Sequence, residues 1–214
     1  MPFELNPVEV RVLGSLVEKE LTTPDNYPLS LNALVAACNQ KSNRDPVMAL
    51  SESEVVEALD ALIGRYLVRE TGGAGSRVPK YAHRLSGSLF EKRQFGRRDL
   101  AVLNVLMLRS PQTVGELRTR TARMADFDSL EAIENQLQEL ASRDDGPFVR
   151  ELPPRAGQRE RRYTHLFGVF PAVEQASIPG NTTDERIATL EQEVAELRKE
   201  VAALRASVQA FRGD

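Results

Sequence analysis

Val10-Arg11-Val12-Leu13 with Leu16 returns as Leu100-Ala101-Val102-Leu103 with Leu106, and Lys80-Tyr81-Ala82-His83 returns as Arg162-Tyr163-Thr164-His165. Between these ends the apolar positions correspond element by element. Leu31 and Leu34 match Val114 and Leu117; Val55, Leu59 and Leu62 match Ile133, Leu137 and Leu140; Val68-Arg69-Glu70 matches Val149-Arg150-Glu151. The offset drifts from 90 to 83 to 78 and back to 81 and 82, so the differences in length fall between elements and not within them. That is the pattern of a duplicated small domain. The chain has 214 residues, room for two domains of about 80 residues and a further segment.

Each copy reads as three helices and a hairpin. Asn6 as N-cap and Pro7 at the first helical position open a helix over about 7–19, with a wide apolar face of Val8, Val12, Leu16, Val10, Leu13 and Val17. Ser30 caps a short helix carrying Leu31, Leu34, Val35 and Cys38. Ser51 with Glu54 forms a capping box for a third, which carries Val55, Ala58, Leu59 and Leu62 until Gly64. Residues 66–70 and 77–84 then read as strands around a glycine-rich tip. The second copy repeats the order with helices near 97–109, 113–123 and 128–142 and strands over 148–152 and 161–167.

Three helices and a two-stranded hairpin in this order are those of a winged helix. The runs Leu21-Thr22-Thr23-Pro24-Asp25-Asn26-Tyr27-Pro28-Leu29-Ser30-Leu31-Asn32-Ala33-Leu34 and Cys38-Asn39-Gln40-Lys41-Ser42-Asn43-Arg44-Asp45-Pro46-Val47 resemble the signature of the YceH-like family of uncharacterised bacterial proteins. The resemblance spans both copies and implies tandem winged helices without implying an activity. The expected fold class is mainly α with small β-hairpins (α+β). Winged-helix domains are expected over 1–88 and 97–172, a linker over 89–96, a flexible joint over 173–182 and a coiled-coil helix over 183–212.

The net charge of −3 gives no general attraction to nucleic acid, so DNA binding requires local patches. In a helix-turn-helix the recognition helix enters the major groove, yet the first copy's third helix carries Glu52, Glu54, Glu57 and Asp60, and the second's carries Glu131, Glu134 and Glu139 beside Asn135, Gln136 and Gln138. Carboxylates there oppose phosphate. The cations lie elsewhere. Arg77, Lys80 and Arg84 are on the first hairpin, Arg155, Arg159, Arg161 and Arg162 on the second, and Arg118, Arg120 and Arg123 on the second helix of copy two; Lys92, Arg93, Arg97 and Arg98 crowd the junction. Residues 91–170 hold 14 Lys and Arg against 12 Asp and Glu and form the only net-positive third of the chain. The polar loop from Cys38 to Pro46 adds Lys41 and Arg44, as cations for a phosphate or a partner's carboxylate, or else as parts of a self-satisfied turn.

Ile187, Leu190, Val194, Leu197, Val201, Leu204, Val208 and Phe211 alternate spacings of three and four, with β-branched residues at a and mostly leucine at d. That pattern favours a parallel two-stranded coil. The pairs Arg186–Glu191, Glu193–Arg198 and Glu200–Arg205 select the same orientation. A homodimer through this helix is expected, and with it the alternative function of a protein-interaction scaffold.

No catalytic constellation is apparent. His83 and His165 occupy equivalent hairpin positions without accompanying ligands, each two residues after a tyrosine on the same strand face, and read as structural. Cys38 follows Leu34-Val35-Ala36-Ala37 and reads as a buried small apolar residue. Gly72, Gly73 and Gly75 lack the Lys-Ser or Lys-Thr of a phosphate loop. No metal or other cofactor is expected, no apolar run is long enough for a membrane span, and a cytoplasmic location is the expectation. The expected function is a non-enzymatic DNA-binding regulator contacting phosphates through its basic hairpins and loops.

Overall fold

The computed structural model describes residues 4–72, 78–86, 94–153 and 160–168. The expected joint at 173–182, the coil at 183–212 with its seam from Ile187 to Phe211, and Arg77, Arg155 and Arg159 lie outside the described residues. What is described is a mixed α+β unit with six α-helices and two antiparallel three-stranded sheets.

The first copy runs α1 (Pro7–Thr22), β1 (Leu29–Ser30), α2 (Leu31–Cys38), α3 (Glu52–Gly64), β2 (Val68–Thr71) and β3 (Lys80–His83). The second runs α4 (Arg97–Leu108), β4 (Gln112–Thr113), α5 (Val114–Thr121), α6 (Leu130–Ser142), β5 (Val149–Leu152) and β6 (Arg162–His165). The helix starts follow their caps. Asn6 Oδ1 accepts from the Val8 and Glu9 amides while the Glu9 carboxylate accepts from the Asn6 amide, and Ser51 with Glu54 does the same for α3. Thr113 with Glu116 caps α5 in the same way.

Each sheet has one strand more than the expected hairpin. Leu29 pairs with Tyr81 and Ser30 with Lys80; Gln112 pairs with Tyr163 and Thr113 with Arg162. The added strand is two residues long and ends at a helix cap, too short for an alternating pattern, so only its long-range pairing defines it. The strand orders β1-β3-β2 and β4-β6-β5 are the same in both copies.

The two copies share one core. α1 and α4 are apolar around most of their circumference and lie against each other at the centre, with Val12, Leu13, Leu16, Leu100, Leu103 and Leu106 all buried. Close approach occurs at Gly14, where a Cβ would stand 2.9 Å from Leu108 Cδ2. Asn104 Nδ2 donates to the Gly14 carbonyl at 2.7 Å, satisfying both groups inside the seam. A second tie joins the chain ends of the unit, where the Leu5 amide donates to the Phe167 carbonyl at 2.9 Å.

Candidate nucleic-acid interface

The polar loop after α2 is built inward. Arg11, only 2% exposed, donates from Nη1 to the Cys38 carbonyl at 3.0 Å and from Nη2 to the Pro46 carbonyl at 2.6 Å, so it grips both ends of the loop. Arg44, 5% exposed, donates to Glu18 at 2.6 Å and to the Ala37 carbonyl at 2.8 Å. Arg44 was expected as a surface cation; it is instead the buried partner of a buried carboxylate, because a guanidinium inside the unit requires an acid and acceptors. Burial pushes the Glu18 carboxyl up, but the Arg44 hydrogen bond and the charges of Arg44 and Arg123 outweigh it and hold the group below the usual range. Lys41 is the loop's exposed cation.

The loop also clamps the second copy. The Asp45 amide donates to the Leu108 carbonyl at 2.9 Å, Ser110 donates to the Asp45 carboxylate at 2.6 Å, and Arg109 donates to Asn43 Oδ1 at 2.6 Å. Arg123 completes the junction by pairing with the second oxygen of Glu18. One buried carboxylate thus binds cations from both copies.

The described hairpin cations differ in exposure. Lys80 is exposed, and Arg161 is 74% exposed with Glu151 3.6 Å away. Arg162 is half-buried and donates to the Pro111 carbonyl at 2.7 Å and to Glu116 at 3.1 Å, tying the sheet to α5. Arg84 stands 5.8 Å from the Tyr66 ring centroid, and Arg118 reaches the Asp128 carbonyl at 3.3 Å while remaining exposed. The outward sides of α3 and α6 carry Glu52, Glu54, Glu57, Asp60, Glu131, Glu134 and Glu139, together with exposed Val56, Leu130, Asn135 and Gln138. Of the described members of the expected cation set, Arg118 comes beside the start of α6, through the Asp128 carbonyl.

The histidines and the cysteine are interior. His83 Nδ1 accepts from the Leu85 amide at 3.1 Å and His165 Nδ1 from the Phe167 amide at 3.2 Å, the same hook in each copy. His83 Nε2 lies 2.7 Å from the Glu20 carboxylate, and its ring faces Tyr27 with centroids 6.0 Å apart, where the sequence had suggested its strand neighbour Tyr81. Cys38 is fully buried, and burial pushes its thiol up. Among the described residues no group of three or more His, Cys, Asp or Glu is placed to hold a metal ion, and no helix is long and apolar enough to cross a membrane.

Sequence reasoning named Arg97, Arg98 and Arg123 but did not bring them together. Arg97 and Arg98 on the first turn of α4 meet Arg123 on the turn after α5 around an open groove of about 500 Å³. Their clustering in sequence near residue 97 and near residue 120 was visible; their meeting depends on how α4 packs on α5.

Residues 5–158 match the family described as a protein of unknown function, DUF480, a span that holds all six described α-helices and ends before β6. The chain belongs to the DUF480 family. Among similar proteins, a UPF0502 protein of Pectobacterium carotovorum is 47% identical over 196 residues, covering 89% of this chain and 93% of the relative. A UPF0502 protein of Vibrio campbellii is 50% identical over 195 residues, covering 89% and 90%. One from Enterobacter sp. is 46% identical over 190 residues, covering 88% of each. These DUF480 relatives carry family names that state no activity.

Proposed function

We propose that this DUF480 chain is a non-enzymatic tandem winged-helix protein that binds DNA through phosphate contacts and dimerises through a parallel coil over 183–212. Each described half runs helix, strand, helix, helix, strand, strand, with β2–β3 or β5–β6 in the place of a wing. Surface charge carries the reading. The outward sides of α3 and α6 are acidic, whereas exposed Lys80, Arg118 and Arg161 stand on the hairpins and α5. A phosphate backbone is repelled by the former and attracted by the latter, so the wings and α5 lead the contact and the third helices do not read bases. Fold alone does not fix this function.

The same acidic helices favour a second reading, a scaffold for a basic protein partner. Titration of labelled duplex DNA at about 50 and 200 mM salt separates the two. Binding that weakens steeply with salt, and weakens further in Lys80→Ala/Arg161→Ala, supports DNA; no binding at the lower salt supports the scaffold. For the dimer, removal of residues 183–214 is expected to shift the sedimenting mass to that of a monomer, and an unchanged dimer contradicts the coil's role.

A further inference from the structure

We propose that the groove between the first turn of α4 and the turn after α5 is a phosphate-binding site that takes the phosphodiester backbone of a nucleic acid. The inference rests on the DNA reading above and moves its central contact from the wings to the junction of the two copies.

Arg97, Arg98 and Arg123 line the groove, with Asp126 as the acid on its wall. Each arginine is exposed and each is anchored, Arg98 also by the Phe127 ring 5.4 Å from its guanidinium carbon. Arg97 Nη2 donates to the Leu21 carbonyl at 3.2 Å, Arg98 Nε donates to the Asp126 carbonyl at 3.1 Å, and Arg123 Nη2 pairs with Glu18. A guanidinium has five N–H donors in a planar fork, so one anchoring bond fixes its orientation and leaves donors for a second acceptor. Phosphate oxygens suit that fork because two parallel N–H bonds meet two oxygens. The positive end of the α4 dipole lies at the same place.

The ligand's extent follows from what adjoins the groove. Arg123 also lines a narrow cleft with Arg109 and Arg120, so cations continue from the groove across the seam between the copies. The buried carboxylate inside this strip, Glu18, is already shared by Arg44 and Arg123, and Arg120 stands 3.5 Å from Glu116. Burial pushes the Arg109 guanidinium down, and repulsion from Arg120, Arg123 and Arg44 adds to it against the opposing charge of Asp45. A single phosphate ion would engage one end of such a strip. A chain of phosphates can engage the groove and its continuation together, and this favours the polymer over free phosphate.

The test uses the full chain with a labelled duplex and, separately, inorganic phosphate. Arg97→Gln/Arg98→Gln/Arg123→Gln is compared with the corresponding triple Lys variant, with Lys80→Gln/Arg161→Gln, and with the single variant Arg98→Gln, which loses the Asp126 carbonyl contact and the cation–π contact with Phe127 and serves if the triple variant melts early. The expected result is at least about tenfold weaker duplex binding for the triple Gln variant, a salt slope reduced by up to about 0.9 for each cation removed, and intermediate binding with the parent's salt slope for the Lys variant, which keeps the charge and loses the fork. Arg98→Gln alone is expected to shift in the same direction. Groove variants that bind duplex like the parent, while Lys80→Gln/Arg161→Gln loses binding, overturn the groove and leave the DNA reading standing. Phosphate binding that the groove variants abolish, in a chain that binds no duplex, overturns the phosphodiester ligand and the DNA reading together. Binding of neither probe overturns both.

Discussion

The central helices of the two copies differ where it matters for joining them. α1 carries Arg11, Gly14 and Glu18 at the positions where α4 carries Ala101, Asn104 and Leu108. Arg11 and Glu18 hold the polar loop that only the first copy has, Gly14 gives Leu108 room, and Asn104 returns a hydrogen bond to Gly14. Elsewhere the copies share their strand order and their histidine hooks. Shared apolar positions therefore build the cores, and diverged polar positions build the junction. The arginine groove lies at that junction.

Making the copies alike again is the strongest way to break this arrangement. Arg11→Ala gives the first copy the residue of the second; it strands the Cys38 and Pro46 carbonyls and leaves a cavity, for an expected loss of about 4 kcal/mol in urea unfolding. Glu18→Gln keeps the shape but leaves the Arg44 cation buried without its counter-ion. Its expected cost is about 3 kcal/mol.

His165 sharpens the comparison through pH. Burial lowers its pKa from 6.5 to about 3. The unfolded chain binds a proton below about pH 6.5 that the folded chain refuses, so the stability contribution is present above that pH and is lost as pH falls toward 3. The expected slope is about 1.4 kcal/mol per pH unit from this group, and His165→Gln, measured by urea unfolding between pH 6.5 and 5, should flatten it; an unchanged slope would sink the assignment. Asn104→Ala is the mildest break. It removes one buried hydrogen bond across the seam, for about 1–2 kcal/mol by the same measurement.

Most of the architecture was legible in local chemistry. Asn6-Pro7 and Ser51 with Glu54 announced the starts of α1 and α3 because caps act over three residues, and the repeated apolar spacing announced the duplication. The edge strands β1 and β4 were not legible, since two residues carry no period. Arg44 looked like a surface cation because nothing in its own loop discloses Glu18, its buried partner 26 residues earlier. A buried signal did exist: Arg11 sits within the apolar run of α1, a position where a charge survives only with partners. The groove was half legible, as charge without proximity.

The central claim is that nucleic acid is held where the copies diverge and join. Hydrogen–deuterium exchange of the full chain, with and without a saturating duplex, tests it most directly. The account predicts slowed exchange at residues 94–99 and 121–126, with α3 and α6 unchanged. Protection confined to α3 or α6, or none in the presence of bound duplex, would contradict it.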